Sequence, residues 1–316
     1  MRLKKIQEVV YTYGDEYQLQ KLLYKSKEPI LIKIKDFTDQ FTIDYFIKNS
    51  KGLTTYSTFA NDKCIAHQEG DIKKSLDEIK QNISHRIFGH YYQQCFTEEI
   101  EKHVPLWQTI PFRPRLFSQH VKCSFFFGGK GSHTQIHYDR EHPSILHLCL
   151  SGKKEMLLFT KEQNEHLYKV PFVGDSLIDF SLPKETIAKK FPKMDKAEGY
   201  EVMLEKGDML FMPRNCWHYT RYHDASAATS YVFYPNKFLH LYGYFTGYFY
   251  IGYKERTGFR VSEWPLFKKL DQSYPFATGP KKLFLKILAA SLYIFLLPSI
   301  SITAYFSAKY RPRKFY

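Results

Sequence analysis

The sequence predicts a mainly β chain, a sandwich or barrel of short strands flanked by helices, with one long apolar segment near its C-terminal end. Three observations carry this reading. Aromatic residues make up 17% of the 316 residues, with Tyr 25 and Phe 27, a bias toward strands rather than a Leu/Ala-rich bundle. From residue 121 the chain becomes a series of short apolar runs separated by turn signals, the pattern of an all-β sandwich or barrel. From Ile287 to Ala308 there are 22 residues without a charge, and about 20 apolar residues cross a bilayer core.

Taken in order, ILIKIK (30–35) follows Pro29 and reads as an early strand. Asp44 to Asn49 and Asp71 to Ile83 read as helices, the second with Ile72, Leu76 and Ile79 on one stripe. Tyr91 to His103 reads as a further helix, so residues 1–120 form an α/β region that packs on the barrel. The strand series then runs VKCSFFFGG (121–129), SILHLCL (144–150), EMLLF (155–159), YEVML (200–204), DMLFMP (208–213) and TSYVFYP (229–235). Residues 160–199 are polar, basic and weakly periodic, an insertion on this scaffold. Residues 241–286 lead to the apolar segment, and 309–316 form a basic tail.

Lysines 281, 282 and 286 flank the apolar segment on one side, and Lys309, Arg311, Arg313 and Lys314 on the other, with Tyr293 and Tyr305 placed as interface anchors. A single C-terminal transmembrane helix over 287–308 is expected, with the folded domain facing the cytoplasm. Pro298 and the hydroxyls of Ser291, Ser299, Ser301 and Thr303 leave a buried core helix or an interfacial hairpin as the alternative.

Composition removes several classes. With 44% hydrophobic residues the chain can build a core and is not a disordered tract. Its five cysteines (Cys64, Cys95, Cys123, Cys149 and Cys216) contain no Cys-x-x-Cys pair, which argues against a disulfide framework or zinc ribbon and for a reducing compartment. The stretch Gln7 to Gln20 is too polar for the core of a secretory leader. Lys+Arg 46 against Asp+Glu 32 gives a net charge of +14, which attracts nucleic acid, anionic lipid or acidic protein. No Arg-rich run or nucleic-acid motif accompanies it, and a solubility charge explains it equally well.

Two segments carry chemistry. In TQIHYD (134–139), His137 and Asp139 are two apart and share one side of a strand. In GDMLFMPRNCWH (207–218), a buried strand and a turn lead to His218, for which a satisfied core histidine is the plain alternative. Together they offer two imidazoles and a carboxylate, the facial set of non-haem Fe(II) oxygenases. Zinc hydrolases also use two histidines and a carboxylate, so ligand type alone does not choose the metal. Lys153 and Lys154 end the turn after SILHLCL, where an ammonium holds a carboxylate as a point charge, and Thr134 adds a hydroxyl. A metal, a lysine and a hydroxyl suit a 2-oxo dicarboxylate, with solvated turn lysines as the alternative.

The order and spacing of EPILIKI, YYQQ (91–94), the Thr-x-x-His-Tyr-Asp box, SGKKEMLLF, DFSLPKETIAKKFPKM and GYEVMLEKGDMLFMPRNCWH resemble the JmjC (cupin-like) 2-oxoglutarate and Fe(II) dependent oxygenases. The similarity runs from about residue 17 to about residue 240 and is closest to the small hydroxylase branch. The resemblance implies a double-stranded β-helix (jelly roll) with flanking helices, its catalytic core at 121–240. It implies His137, Asp139 and His218 as iron ligands. Thr134 and Lys154 match the residues that take the distal carboxylate of 2-oxoglutarate, Lys154 being preferred over Lys153 by the Gly-x-Lys pattern, with Tyr92 and Tyr231 as further cosubstrate contacts. It further implies O2 as co-reactant and a protein side chain or tRNA as substrate. A catalytically silent cupin used as a binding module at an anionic membrane surface is the reading of another class.

Overall fold

Short strands with apolar residues on alternate positions stack into two sheets in the computed structural model, which describes residues 1–90, 92, 94–110, 123–139, 142–171, 174–234, 236, 238–239 and 265–309. The strands are β1 Arg2–Lys4, β2 Gln7–Tyr11, β3 Ile30–Ile34, β4 Leu53–Ala60, β5 Lys63–Asp71, β6 His85–His90, β7 Cys123–Gly128, β8 His133–His137, β9 Ser144–Ser151, β10 Lys154–Phe159, β11 Glu198–Leu204, β12 Asp208–Met212, β13 Trp217–Tyr222 and β14 Ser226–Phe233. Among the described residues the smaller sheet has the order β1-β11-β10-β13-β8, and the larger one β2-β3-β12-β9-β14-β7-β6-β4-β5. Two facing sheets of mostly antiparallel strands are the jelly-roll architecture that the strand series predicts.

The period of two sorts each strand onto two cores. Ile145 and Cys149 of β9, Met156 and Leu158 of β10, Val202 and Leu204 of β11, and Leu210 and Met212 of β12 meet between the sheets. The alternate residues of the large sheet, among them Leu146, Leu148, Phe125, Phe127 and Phe211, face outward under the helices Glu16–Lys25, Ile43–Asn49 and Ile72–Lys80. The helix Ile72–Lys80 buries Ile72, Leu76 and Ile79, as its stripe predicts, and Asp71 caps it by accepting from the Lys74 amide at 3.0 Å. Outward residues of the small sheet, such as Leu157, Phe159, Trp217 and Tyr219, pack under Leu167, Tyr168, Ile178, Ile187, Phe191 and Met194. The polar insertion therefore covers a face of its own. The first 120 residues supply strands to the large sheet itself: β3 pairs with β12, and β6 with β7. The hairpin β4–β5 and strand β6 are not expected from the sequence, because their Thr, Ser, His and Gln side chains blur the apolar alternation.

The turn between β9 and β10 sets the start of the strand that carries Lys154. Gly152 has φ +74°, and a Cβ there would lie 2.3 Å from the Ala225 carbonyl oxygen. Gly152→Ala is expected to lower stability by about 1–3 kcal/mol from backbone strain alone, read as a lower urea midpoint at unchanged slope. An unchanged midpoint would contradict this turn.

The C-terminal apolar segment folds as a helix, Gly279–Lys309, after a shorter one at Pro265–Ser273. The expected membrane span at 287–308 is not supported: among the described residues no helix is long and apolar enough to cross a membrane. Lys281, Lys282 and Lys286 lie in the first turns of this helix, before the uncharged stretch that starts at Ile287. Residues 240–264 and 310–316, which include most of the expected juxtamembrane segment and basic tail, lie outside the described residues.

Candidate functional site

The inward face of β13 is the spine of the site. His218, Thr220 and Tyr222 alternate along it, and each stands beside a residue of a neighbouring strand. His218 pairs with His137 of β8, Thr220 with Thr134 of β8, and Tyr222 with Lys154 of β10. Successive inward positions are about 7 Å apart in a strand, so the polar residues form a ladder in the space between the sheets. Thr134 and His137 are three apart, which in a regular strand would put them on opposite faces. The register shifts between His218 and Thr220, with three residues of β8 spanning two of β13. That bulge brings both side chains to the same side.

His137 ends β8, and Asp139 lies just past it, where the Tyr138 amide is held by the Gly174 carbonyl at 2.7 Å. The pair therefore does not share a strand face, as its spacing suggests, but straddles a strand end. One ligand atom from each of His137, Asp139 and His218 lies within 4.8 Å of the others. The Asp139 carboxylate is 3.9 Å from His137 Nε2. His137 Nδ1 donates to the Gln135 carbonyl at 2.7 Å, and His218 Nδ1 to the Cys216 carbonyl at 3.1 Å. With Nδ1 carrying the proton, each imidazole keeps the Nε2 lone pair for a cation, the arrangement seen when a backbone carbonyl orients a metal-binding histidine. Burial, and then the neighbouring His137, push the His218 pKa down to about 4, so it is neutral at pH 7. Two imidazoles and one carboxylate fit a divalent transition metal.

Lys154 is the second unusual group. It is completely buried, and among the described residues it has no carboxylate partner. Its ammonium meets His147 Nε2 and lies 5.5 Å above the Tyr222 ring. Burial lowers its pKa to about 8. A buried cation without a counter-ion is costly unless an anion joins it. Lys153, in contrast, is exposed and ion-paired with Glu205 at 2.7 Å, which separates two lysines adjacent in the sequence. The Thr134 hydroxyl accepts from Arg86 Nη1 at 2.9 Å, which leaves its own proton free to donate.

The two tyrosines turn elsewhere. Tyr92 hydrogen-bonds Ser50 at 2.7 Å and stacks on Phe96. Tyr231 donates to the Trp107 carbonyl at 3.0 Å and stacks on Trp107. Both belong to the core beneath the helices, so the structure does not bring their rings to Lys154. Tyr231→Phe is expected to cost about 1 kcal/mol of stability from the lost hydrogen bond and to leave any affinity for added 2-oxoglutarate unchanged. A selective loss of that affinity would assign the hydroxyl to a 2-oxoglutarate site.

Sequence reasoning misses three residues of this pocket: His147, Ser230 and Arg86. Ser230, beside Tyr231, faces inward and is paired in register with His147. Arg86 of β6 donates to Thr134 and to the His133 carbonyl, and lies between the rings of Phe59 and Phe88. The signal that could have found them is a histidine in the middle of SILHLCL, a strand otherwise too apolar to hold an unpaired imidazole.

Comparison with known proteins agrees with this geometry. The family described as a cupin-like domain matches residues 24–239. JmjC domain-containing protein D of Dictyostelium discoideum is 28% identical over 105 residues, 32% of this chain and 22% of that protein. HSPB1-associated protein 1 of Homo sapiens is 31% identical over 100 residues, 31% of this chain and 20% of that protein. Lysine-specific demethylase JMJ30 of Arabidopsis thaliana is 31% identical over 99 residues, 30% of this chain and 22% of that protein. The aligned region thus spans about a fifth of each relative. The cupin-like match reaches from before β3 to beyond β14 and takes in every strand that builds the pocket, so the chain belongs to the cupin-like domain family.

Proposed function

We propose that the chain is an Fe(II)- and 2-oxoglutarate-dependent oxygenase that hydroxylates a protein side chain. The observation that carries this reading is the coincidence, on one sheet face, of the His137–Asp139–His218 cluster with a buried ammonium that has no carboxylate partner among the described residues. His137 and His218 would hold iron through Nε2, and Asp139 through its carboxylate. Lys154 and Thr134 would take the distal carboxylate of 2-oxoglutarate. When bound, the iron supplies the redox chemistry that places one atom of O2 in a substrate C–H bond, as 2-oxoglutarate becomes succinate and carbon dioxide. The protein's part is orientation, with the rings of Phe88 and Phe126 beside the site, their centroids 6.3 Å from that of His137 and 5.6 Å from that of His147.

Two features bear on the substrate. Relatives named as lysine-specific demethylases favour a protein side chain, since removal of an N-methyl group begins with hydroxylation of that methyl. The net charge of +14 favours tRNA instead. Anaerobic iron titration, followed by succinate release from 2-oxoglutarate in air, tests the chemistry. Absence of iron-dependent succinate would leave only a silent binding module. Mass spectrometry of lysate peptides and of tRNA after incubation then separates the substrates. A gain of one oxygen on peptide supports this reading, and the same gain confined to tRNA overturns its substrate.

A further inference from the structure

The proposed carboxylate pocket contains a buried imidazole that neither binds the metal nor belongs to the apolar core. His147 stands in the middle of β9, where its inward neighbours Ile145 and Cys149 are apolar. Its Nδ1 is 2.6 Å from Ser230 Oγ, and its Nε2 meets the Lys154 ammonium. An ammonium has three donors and no acceptor, so Nε2 accepts. The imidazole proton is then on Nδ1 and is donated to Ser230. The chemistry of the partners alone fixes the tautomer. Burial, together with the positive charge of Lys154, holds His147 well below its ordinary pKa, and the neutral form persists.

This neutrality matters. An aspartate or glutamate in the place of His147 would also orient the ammonium, but it would neutralise it and close the site to a ligand carboxylate. A neutral acceptor takes one of the three N–H bonds and leaves the positive charge unspent. From this geometry, and resting on the oxygenase reading above, we infer that His147, backed by Ser230, is a positioning residue that aims the Lys154 ammonium at the distal carboxylate of the cosubstrate and so makes the pocket selective for a dicarboxylate.

The test compares two acids with the same 2-oxo acid head. 2-Oxoglutarate has the distal carboxylate and 2-oxobutyrate lacks it. Both are titrated calorimetrically into the full chain loaded with Mn(II), without oxygen. Wild-type protein is expected to prefer 2-oxoglutarate strongly. In His147→Leu the affinity for 2-oxoglutarate should fall roughly 10- to 100-fold, the worth of a hydrogen bond to a charged group, and that for 2-oxobutyrate should stay within about twofold. His147→Gln, whose amide oxygen accepts from the ammonium while its N–H reaches Ser230, should recover most of the loss. If His147→Leu does not fold, Ser230→Ala gives the same selective loss at smaller size. Equal losses for both acids would show a merely structural residue, and an unchanged preference would show no role; either overturns this inference alone. Wild-type protein that binds neither acid overturns the oxygenase reading and the inference with it.

Discussion

Asp139→Ala should lose both the metal and turnover, and this is the largest effect expected of any single substitution in the chain. Asp139 is the only carboxylate in the His137–Asp139–His218 cluster. Without it a divalent ion would be held by two imidazoles alone, with no anionic ligand from the cluster. Metal-based stabilisation of a reacting centre is worth several kcal/mol, which at 1.36 kcal/mol per decade is a loss of roughly 10³-fold or more. Iron content after anaerobic loading and succinate formation are the two measurements, with circular dichroism to show that the fold persists. Because Asp139 lies just beyond the end of β8, outside both sheet cores, stability should change little. A variant that keeps its iron and its 2-oxoglutarate consumption would remove the cluster from the mechanism.

Lys154→Met should weaken 2-oxoglutarate binding by about 2–5 kcal/mol, the cost of truncating one partner of a buried charge pair. That is roughly 30-fold to several thousand-fold in affinity. The same lysine predicts a pH dependence. Burial lowers its pKa from the usual 10.5 to about 8, and the ligand carboxylate needs the protonated form. Affinity in wild-type protein should therefore be level below about pH 8 and fall about tenfold per pH unit above it. For the ligand-free fold the sign is opposite. Between pH 8 and 10.5 the unfolded chain binds a proton at this lysine and the native chain does not, so folding stability rises with pH in that window. The stability of Lys154→Met relative to wild type should accordingly decline across the same window. A 2-oxoglutarate affinity independent of pH from about 7 to about 10 in wild-type protein would show that Lys154 does not hold the ligand.

Much of the scaffold is legible in the residues. Turn-bounded apolar runs locate β3, β7, β9, β10, β11, β12 and β14 to within a few residues: strands such as β9 and β12, buried on both faces, leave a continuous apolar signature, while β11 alternates buried and exposed positions. The stripe Ile72, Leu76, Ile79 locates a helix because only one of its faces is buried. Strands β4 and β5 are not legible. β5 is almost wholly exposed, and β4 buries the polar Thr54 and Ser57 beside Phe59, so neither shows an apolar alternation.

The ligand chemistry is written in the residue order: which imidazoles, which carboxylate and which lysine pair are available, and where along the chain. Folding sets which of them meet. Inward orientation depends on strand register, and a one-residue change reverses a side chain. The bulge in β8 turns Thr134 toward the side of His137, against their odd spacing. Register sends Lys154 inside and leaves Lys153 on Glu205. It points Ser230 at His147 and buries Tyr231 beneath the helices. Spacing along one strand records none of this, because facing is fixed by hydrogen-bonded neighbours that lie far away in the chain.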